Sequence, residues 1–300
     1  MTAEANTPTR PRNGFRLLTG PLSRLRRVPL LVTLSIAFLT LMLGITLFGR
    51  FLQPYAFEQI DLLARMKPPA PLEGFTWAHP LGTDKLGRDL MSRLIVGAQT
   101  SMALTLLGTV VGAIIGITLG FVAAHKGRWW DEVIMAAVDF QAAMPWFIVA
   151  LAVLAFMGNS MIVFLMLMGL YGWEGYARIT RGLVLSAREQ GYALAVHGLG
   201  ATPRWIYLRH VLPNIAGPLL VQLTINFPNT ILFETSLSFL GLGIRPPMTS
   251  LGQMLGEGRD YLISAWWLAV VPGTVIFLTT LSMSILGDWL RIRLDPSLEN

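Results

Sequence analysis

The sequence predicts an all-α integral membrane protein with six transmembrane helices and a helical cytoplasmic loop between the fourth and the fifth. Hydrophobic residues make up 53% of the chain, charged residues only 13%, and the mean hydropathy is +0.57. A soluble domain carries about 25% charged residues, so this composition indicates a membrane protein. The chain contains no cysteine, which excludes a disulfide framework and a thiolate metal site.

The positions of the basic residues predict how the spans are oriented. Residues 1–27 are rich in arginine and are expected to form a cytoplasmic leader. Most of the 23 lysines and arginines fall in segments that six spans would place in the cytoplasm, together with both termini. Cytoplasmic loops carry an excess of these residues. The basic residues that give the net charge of +6 are therefore expected to orient the protein among membrane lipids. No nucleic acid is expected as a partner.

The first hydrophobic segment, residues 28–49, carries no charge and is long enough to cross a bilayer, which needs about 20 residues. A cleaved signal peptide is the alternative, but the segment is longer than a signal's apolar region and no small-residue cleavage site follows. We therefore predict an uncleaved anchor. Residues 50–93 follow as a periplasmic segment, in which Leu86, Leu90 and Leu94 predict an amphipathic helix lying in the membrane interface.

The same segment imitates a phosphate-binding loop, with glycines at 82 and 87. Arg88 replaces the lysine of that motif, Asp89 replaces its hydroxyl residue, and no strand precedes it. Nucleotide binding is therefore not expected here, and the chain has no other phosphate loop. ATP would have to be handled by a different protein.

Residues 94–290 are expected to form a core of five further spans, and residues 291–300 a cytoplasmic tail. Four glycines of the second span recur every four residues and share one helix face: Gly108, Gly112, Gly116 and Gly120. In lipid, such a face lets two helix backbones approach closely. A glycine-lined substrate passage is the functional alternative, and helix packing is the preferred interpretation.

Polar and helix-breaking residues within the later spans are candidates for a translocation pathway. They are Asp139, Pro145, Asn226, Asn229 and Glu234. An ionisable residue at membrane depth is a functional-site candidate, and Pro145 is expected to kink the third span. Asp139 lies only about two helical turns from the cytoplasmic end, so pairing with an arginine is the preferred interpretation for its carboxylate.

The predicted cytoplasmic loop, residues 188–214, combines helical patterning with many charges. One helix face carries an apolar stripe made of Tyr192, Ala195, Val196 and Leu199. Gly200 ends this helix, and Thr202 followed by proline predicts a second short helix that stops before Pro213. A helix-turn-helix that binds DNA fits the local pattern, but the membrane spans on both sides exclude it.

Within this loop, Ala195, Gly200, Leu212 and Pro213 resemble at their spacings the coupling-loop motif of bacterial ABC importer permeases. Similarity to the branch that imports dipeptides, oligopeptides and nickel lies in four stretches, residues 79–97, 200–203, 209–214 and 234–247. The loop departs from the usual pattern in three places. Leu194 stands at the position of a glutamate, Val196 at that of a second alanine, and Gly191 where relatives often carry an acid.

The resemblance covers roughly residues 75–298 and implies a type I importer permease of the bacterial cytoplasmic membrane. Such a subunit transports di- or oligopeptides or peptide-like compounds and works with a homologous permease subunit, two ATP-binding subunits and a periplasmic or lipid-anchored binding protein. It has no catalytic residues, metal or cofactor of its own. The residues implied in ATPase coupling are Gly191, Tyr192, Ala195, Val196, Leu199, Gly200, Ala201 and Pro213.

Two alternatives stay open at this point. A membrane-embedded enzyme, such as an intramembrane protease, would need paired catalytic groups at membrane depth, but no His-Glu-x-x-His motif occurs. His125, His197 and His210 all fall in predicted cytoplasmic loops. Within the same family, the chain could instead serve a nickel or opine importer, although the predicted spans hold no cluster of metal ligands.

Overall fold

The computed structural model describes residues 28–188, 205 and 207–294, and regular structure in these residues is helical apart from one isolated bridge between Thr83 and Asp89. The helices are α1 (Leu30–Leu52), α2 (Leu90–Lys126), α3 (Arg128–Ala143), α4 (Trp146–Met157), α5 (Met161–Gly169), α6 (Trp173–Arg188), α7 (Leu212–Phe239), α8 (Leu251–Gly258) and α9 (Trp267–Leu294). The all-helical prediction is confirmed. The predicted leader, most of the cytoplasmic loop and the end of the tail lie outside the described residues.

Within these residues, four helices are long and apolar enough to cross a membrane, namely α1, α2, α7 and α9. Helices α3 and α4 together make a fifth if they are counted as one span. That span is broken, because the two helices meet at an angle of 87°. The remaining predicted span is divided between α5 and α6, which are separated by residues 170–172. Of the six predicted spans, four are therefore long single helices, the third falls on the bent pair α3–α4, and the fourth falls on the two shorter helices α5 and α6.

Local sequence signals account for several helix ends. Asp89 caps α2 by accepting the backbone N–H of Ser92 at 2.7 Å, and Ser250 caps α8 by accepting that of Gln253 at 3.2 Å. Such caps satisfy backbone donors that the first helical turn leaves free. The kink expected at Pro145 is a complete break, because the residue before a proline is disfavoured in helical geometry. Met144 is accordingly extended.

The prediction of an interfacial helix around Leu86, Leu90 and Leu94 is wrong for the first half of that segment. Leu86 lies in a turn, and Gly87 has a φ of +76°, which a left-handed turn requires and an α-helix forbids. A Cβ atom at Gly87 would collide with the carbonyl oxygen of Asp61. This close passage of two loops overrides the helical spacing of the leucines, and Leu90 and Leu94 form the start of α2.

The helix end predicted before Pro213 is also absent. Residues Tyr207–Val211 form a π-helical turn that continues directly into α7. Pro213 lies in the first turn of α7, where a helix does not use the backbone N–H that proline lacks. The proline therefore starts the long helix and does not separate it from the loop.

Helix α2 packs along α5 and α6 through the glycine face. A Cβ atom added at Gly108 would lie 3.0 Å from Cβ of Met168, and one added at Gly112 would lie 3.0 Å from the carbonyl oxygen of Tyr171. At Gly116 the added atom would lie 2.6 Å from Cβ of Tyr176, and at Gly120 it would lie 2.6 Å from the carbonyl oxygen of Ala177. Side chains there would force the helices apart. Small residues permit this kind of backbone contact between membrane helices.

Helix α1 lies at the edge of the bundle, packed against α2 and α9. Val32 and Met42 are buried in this contact, whereas Leu30, Leu47 and Phe48 are exposed. An apolar helix with so little of its surface covered is suited to lipid on its outer side. The anchor predicted for residues 28–49 falls on this helix, and its uncleaved state stays a prediction.

Replacing Gly116 by leucine should destabilise the contact between α2 and α6. Overpacking of a close contact costs roughly 1–3 kcal/mol, and here the obstacle includes backbone of α6. Gly44→Leu in α1 is the matched control, since a Cβ at Gly44 meets nothing within 4 Å. We expect a lower thermal unfolding midpoint in detergent for Gly116→Leu only. Equal midpoints for the two variants would contradict the packing role.

Candidate functional site

The exposed side of α6 is polar over its whole length. Arg178, Gly182 and Ser186 follow one another at four-residue intervals and are all exposed, and Glu174 continues the row as a half-buried residue. We call these four residues the α6 stripe. A helix face turned to lipid is expected to carry large apolar side chains, as α1 does, so the α6 stripe is suited to water or to a polar partner.

Arg178 of the stripe pairs with Asp139 of α3. Its Nη2 atom donates to Oδ1 of Asp139 at 2.9 Å, and the two side chains are 54% and 72% exposed. Pairing was the interpretation preferred for Asp139, although its partner lies on a helix and not in a loop. The pair presents both a positive and a negative charge on the open surface.

Two further polar contacts fix α3 against α6. Arg181 donates to both carboxylate oxygens of Asp131, and burial of this pair is greater than that of Asp139 and Arg178. Gln141 donates to the carbonyl oxygen of Leu170 at 2.8 Å and to Glu174 at 3.0 Å. These contacts hold the start of α6 and the break before it in a defined position.

The candidate pathway residues of α7 lie on two different sides of that helix. Asn229 is exposed, on a stripe that continues through Leu232 and Ser236. Leu232 and Ser236 also line an open cleft of about 420 Å³ between α4, α7, α8 and α9. Asn226 and Glu234 are buried on the other side, so the structure separates them from Asn229. Pro145 is exposed at the α3–α4 break.

Asn226 has a packing role at the break between α5 and α6. Gly172 in that break has a φ of +78°, and a Cβ atom there would lie 2.5 Å from the side-chain amide of Asn226. The asparagine thus occupies the space that a side chain at position 172 would need. This contact joins the middle of α7 to the start of α6.

Glu234 joins α7 to α2 and to the start of α8. It is completely buried, and its Oε1 atom accepts the hydroxyl of Ser238 at 2.7 Å. The hydroxyls of Ser101 and Ser250 also approach this carboxyl group. Each of the three serines accepts a backbone N–H, from Ile244, Leu251 and Gln253 respectively. Each therefore keeps its own hydroxyl proton free to donate to Glu234.

A network of four charged side chains lies at the end of the bundle where α2 begins. Asp84 accepts Nε of Arg88 at 2.6 Å and Nη1 of Arg93 at 2.7 Å, and both arginines also donate to Glu257 of α8, at 3.3 Å and 3.0 Å. Asp84 and Arg93 are only 4% and 3% exposed. The false phosphate loop of the sequence is therefore an ion-pair network that fastens α2 to α8.

Arg93→Ala should be strongly destabilising, because it leaves Asp84 buried without its most enclosed partner. Breaking a buried ion pair costs about 3–5 kcal/mol. Arg259→Ala is the control, since its pair with Asp260 is largely exposed and such pairs contribute about 1 kcal/mol or less. Thermal unfolding of the two purified variants measures the difference. Equal losses would show that the network does not support the fold.

The residues from Gly191 to Ala201 that the resemblance implies in coupling lie outside the described residues, and Pro213 lies in the first turn of α7. The described segments on both sides of the loop are firmly packed together. Val184 and Ala187 of α6 share one buried cluster with Val211 and Ile215. Tyr207 in the π-helical turn also contacts α2, where its hydroxyl lies 2.9 Å from Nδ1 of His125.

Comparison with known proteins identifies the family. The family described as "binding-protein-dependent transport system inner membrane component" matches residues 116–300. The di/tripeptide transport system permease protein DppC of Pseudomonas aeruginosa is 38% identical over 268 residues, or 89% of this chain and 88% of that protein. The glutathione transport system permease protein GsiD of Pectobacterium atrosepticum is 36% identical over 263 residues, covering 88% and 86%.

The chain belongs to this permease family. It is the permease subunit of a binding-protein-dependent ABC importer, a multi-pass protein of the inner membrane. Permease subunits are non-catalytic, and ATP is hydrolysed by a partner ATPase. The alternative of a membrane-embedded enzyme is thereby excluded.

Solved structures of importers share the fold. The MetNI methionine ABC transporter, in inward-facing form, matches 69% of this chain and 98% of its own chain, with a TM-score of 0.54 and 18% identity. An amino acid ABC transporter matches 68% and 94%, with a TM-score of 0.51 and 14% identity. The family fold thus extends over about two thirds of the chain.

Sequence reasoning missed two polar features of this permease. The α6 stripe was readable in principle, since Glu174, Arg178, Gly182 and Ser186 recur every four residues without one large apolar side chain. The four-residue network was not readable, because Glu257 is far from Arg93 in the sequence. No group of three or more His, Asp or Glu side chains is placed to hold a metal in the described part of the permease.

Proposed function

We propose that this permease imports di- or oligopeptides or related peptide-like compounds. The observation that carries the proposal is the likeness to permeases named for di/tripeptides and glutathione over about nine tenths of the chain. Both named substrates are peptides with free ionised termini. The charged side chains exposed on α3 and α6 support a polar cargo of this kind, which would be poorly served by an apolar passage.

The pathway is proposed to follow the open faces of α7 and α6. It would begin at the cleft beside Leu232 and Ser236, pass Asn229 and the break at Pro145, and reach Asp139 with Arg178. Asn226 and Glu234, which the sequence also suggested, support the helices from behind this face because both are buried. The glycine face lies against α5 and α6 and takes no part in the passage.

In the working importer, this subunit is proposed to pair with a homologous permease subunit above two ATP-binding subunits. A periplasmic or lipid-anchored binding protein would deliver the substrate. Both termini and residues 188–214 would lie in the cytoplasm, as the basic residues predict. The four-residue network and α8 would then lie at the periplasmic end.

The substrate class is tested by uptake into proteoliposomes that contain the complete importer and are supplied with its binding protein and ATP. Inside-out vesicles serve as controls. We expect ATP-dependent accumulation of labelled dialanine or glutathione, and none without ATP. Labelled nickel is measured in parallel, because the family also includes nickel importers. Uptake of nickel with neither peptide would overturn the peptide proposal while leaving the permease role in place.

Coupling is tested in the cytoplasmic loop. Ala195→Glu should place a charge in the proposed ATPase contact, and Gly200→Val should disturb the turn that the sequence predicts at this position. Each variant should lower uptake at least tenfold or release the ATPase during co-purification, while the permease still inserts. Arg291→Glu, on the exposed end of α9, controls for added negative charge in the cytoplasm. Wild-type uptake and co-purification in both loop variants would remove the coupling role.

A further inference from the structure

The exposed pair of Asp139 and Arg178 lies several helical turns from the ends of α3 and α6 that lead to the predicted cytoplasmic loops. At 1.5 Å per residue, Asp139 is about 16 Å along α3 from its first residue, Arg128, and Arg178 is about 15 Å from the last residue of α6, Arg188. If those two helix ends lie at the membrane surface, both residues are about 15 Å below it, half the thickness of a hydrocarbon core of about 30 Å.

Charged groups at this depth do not face lipid without a large penalty. A charged side chain at the centre of a membrane helix is rare because its transfer into hydrocarbon is unfavourable, and both members of this pair are more than half exposed. The neighbouring stripe positions, Gly182 and Ser186, offer no apolar cover. The surface that carries the pair therefore borders water or a polar partner.

The pair differs from the other ion pairs between helices in what it leaves open. Arg181 donates both of its bonds to Asp131, so that pair is satisfied within itself. Arg178 makes a single bond to one oxygen of Asp139. A guanidinium has five N–H donors and a carboxylate has two acceptor oxygens, so both groups keep bonding capacity directed toward the open surface.

We propose that Asp139 and Arg178 read the charge of the substrate as it passes through the permease. Asp139 attracts the ammonium and basic side chains of a peptide, and Arg178 attracts its carboxylate and acidic side chains. This inference rests on the proposed import of peptide-like compounds. Together the two residues make this part of the passage favourable to zwitterions. Asp139 alone favours positively charged peptides, and Arg178 alone favours negatively charged peptides.

The first test compares two labelled dipeptides, Ala-Glu and Ala-Lys, in proteoliposomes with the complete importer. Arg178→Gln should lower the uptake of Ala-Glu relative to Ala-Lys about fivefold, the size expected for one charge pair at about 4 Å in water. Asp139→Asn should shift the ratio in the opposite direction by a similar factor. The binding protein is the same throughout, so changes in the ratio belong to the permease.

Asp131→Asn is the matched control for a merely structural role. It also removes an ion pair between α3 and α6, but from the more covered pair with Arg181. It should lower the uptake of both peptides equally. If Arg178→Gln and Asp139→Asn likewise leave the ratio unchanged, charge reading is refuted. If the wild-type importer takes up neither of these peptides, nor dialanine or glutathione, the proposed substrate class fails as well.

The second test uses the absence of cysteine from the chain. Arg178→Cys is treated with a cationic or an anionic methanethiosulfonate. The cationic reagent should restore the Ala-Glu to Ala-Lys ratio to within twofold of the wild type, and the anionic reagent should lower it further. Gly44→Cys in α1, where an added Cβ also has open space, should react at least tenfold more slowly. Equal slow reaction at both positions would show that the Arg178 surface faces lipid, and would overturn the proposal.

Discussion

The close backbone contact between α2 and the α5–α6 pair is the constraint on which the rest of the permease depends. At Gly116 and Gly120 no side chain could stand between α2 and the backbone of α6. Because one side of α6 is held this tightly, its rotation about its own axis is fixed, and the opposite side with Arg178 is presented outward. The break at residues 170–172 is held by the same contact, through Gly112 and the carbonyl oxygen of Tyr171.

Charged residues serve two different purposes in this bundle, and burial decides which. Arg93 and Asp84 are buried and form ion pairs with each other and with Glu257 and Arg88. Their charges therefore hold α2 against α8. Arg178 and Asp139 are exposed and joined by a single hydrogen bond, so both keep hydrogen-bonding capacity on the open surface. Residue type alone does not distinguish these roles, since both clusters are built from arginines and acids.

Helix α6 connects the proposed pathway to the proposed site of ATPase contact. Its outward side carries the α6 stripe, and its last residue, Arg188, leads directly into the predicted cytoplasmic loop. The buried cluster of Val184, Ala187, Val211 and Ile215 joins the end of α6 to the start of α7, which carries Asn229. A displacement of the loop by an ATPase would therefore act on both pathway helices together, as rocking of one bundle against another requires.

The sequence by itself determined the membrane class, the glycine face and the family, because each depends on local composition or on short motifs. It also placed the break at Pro145, since proline restricts its own neighbour. Only the tertiary structure decided that Asn226 and Glu234 are buried while Asn229 is exposed, and that residues 82–89 form a loop. Those outcomes depend on contacts between residues far apart in the chain, such as Gly87 with Asp61 and Arg93 with Glu257, which no local pattern encodes.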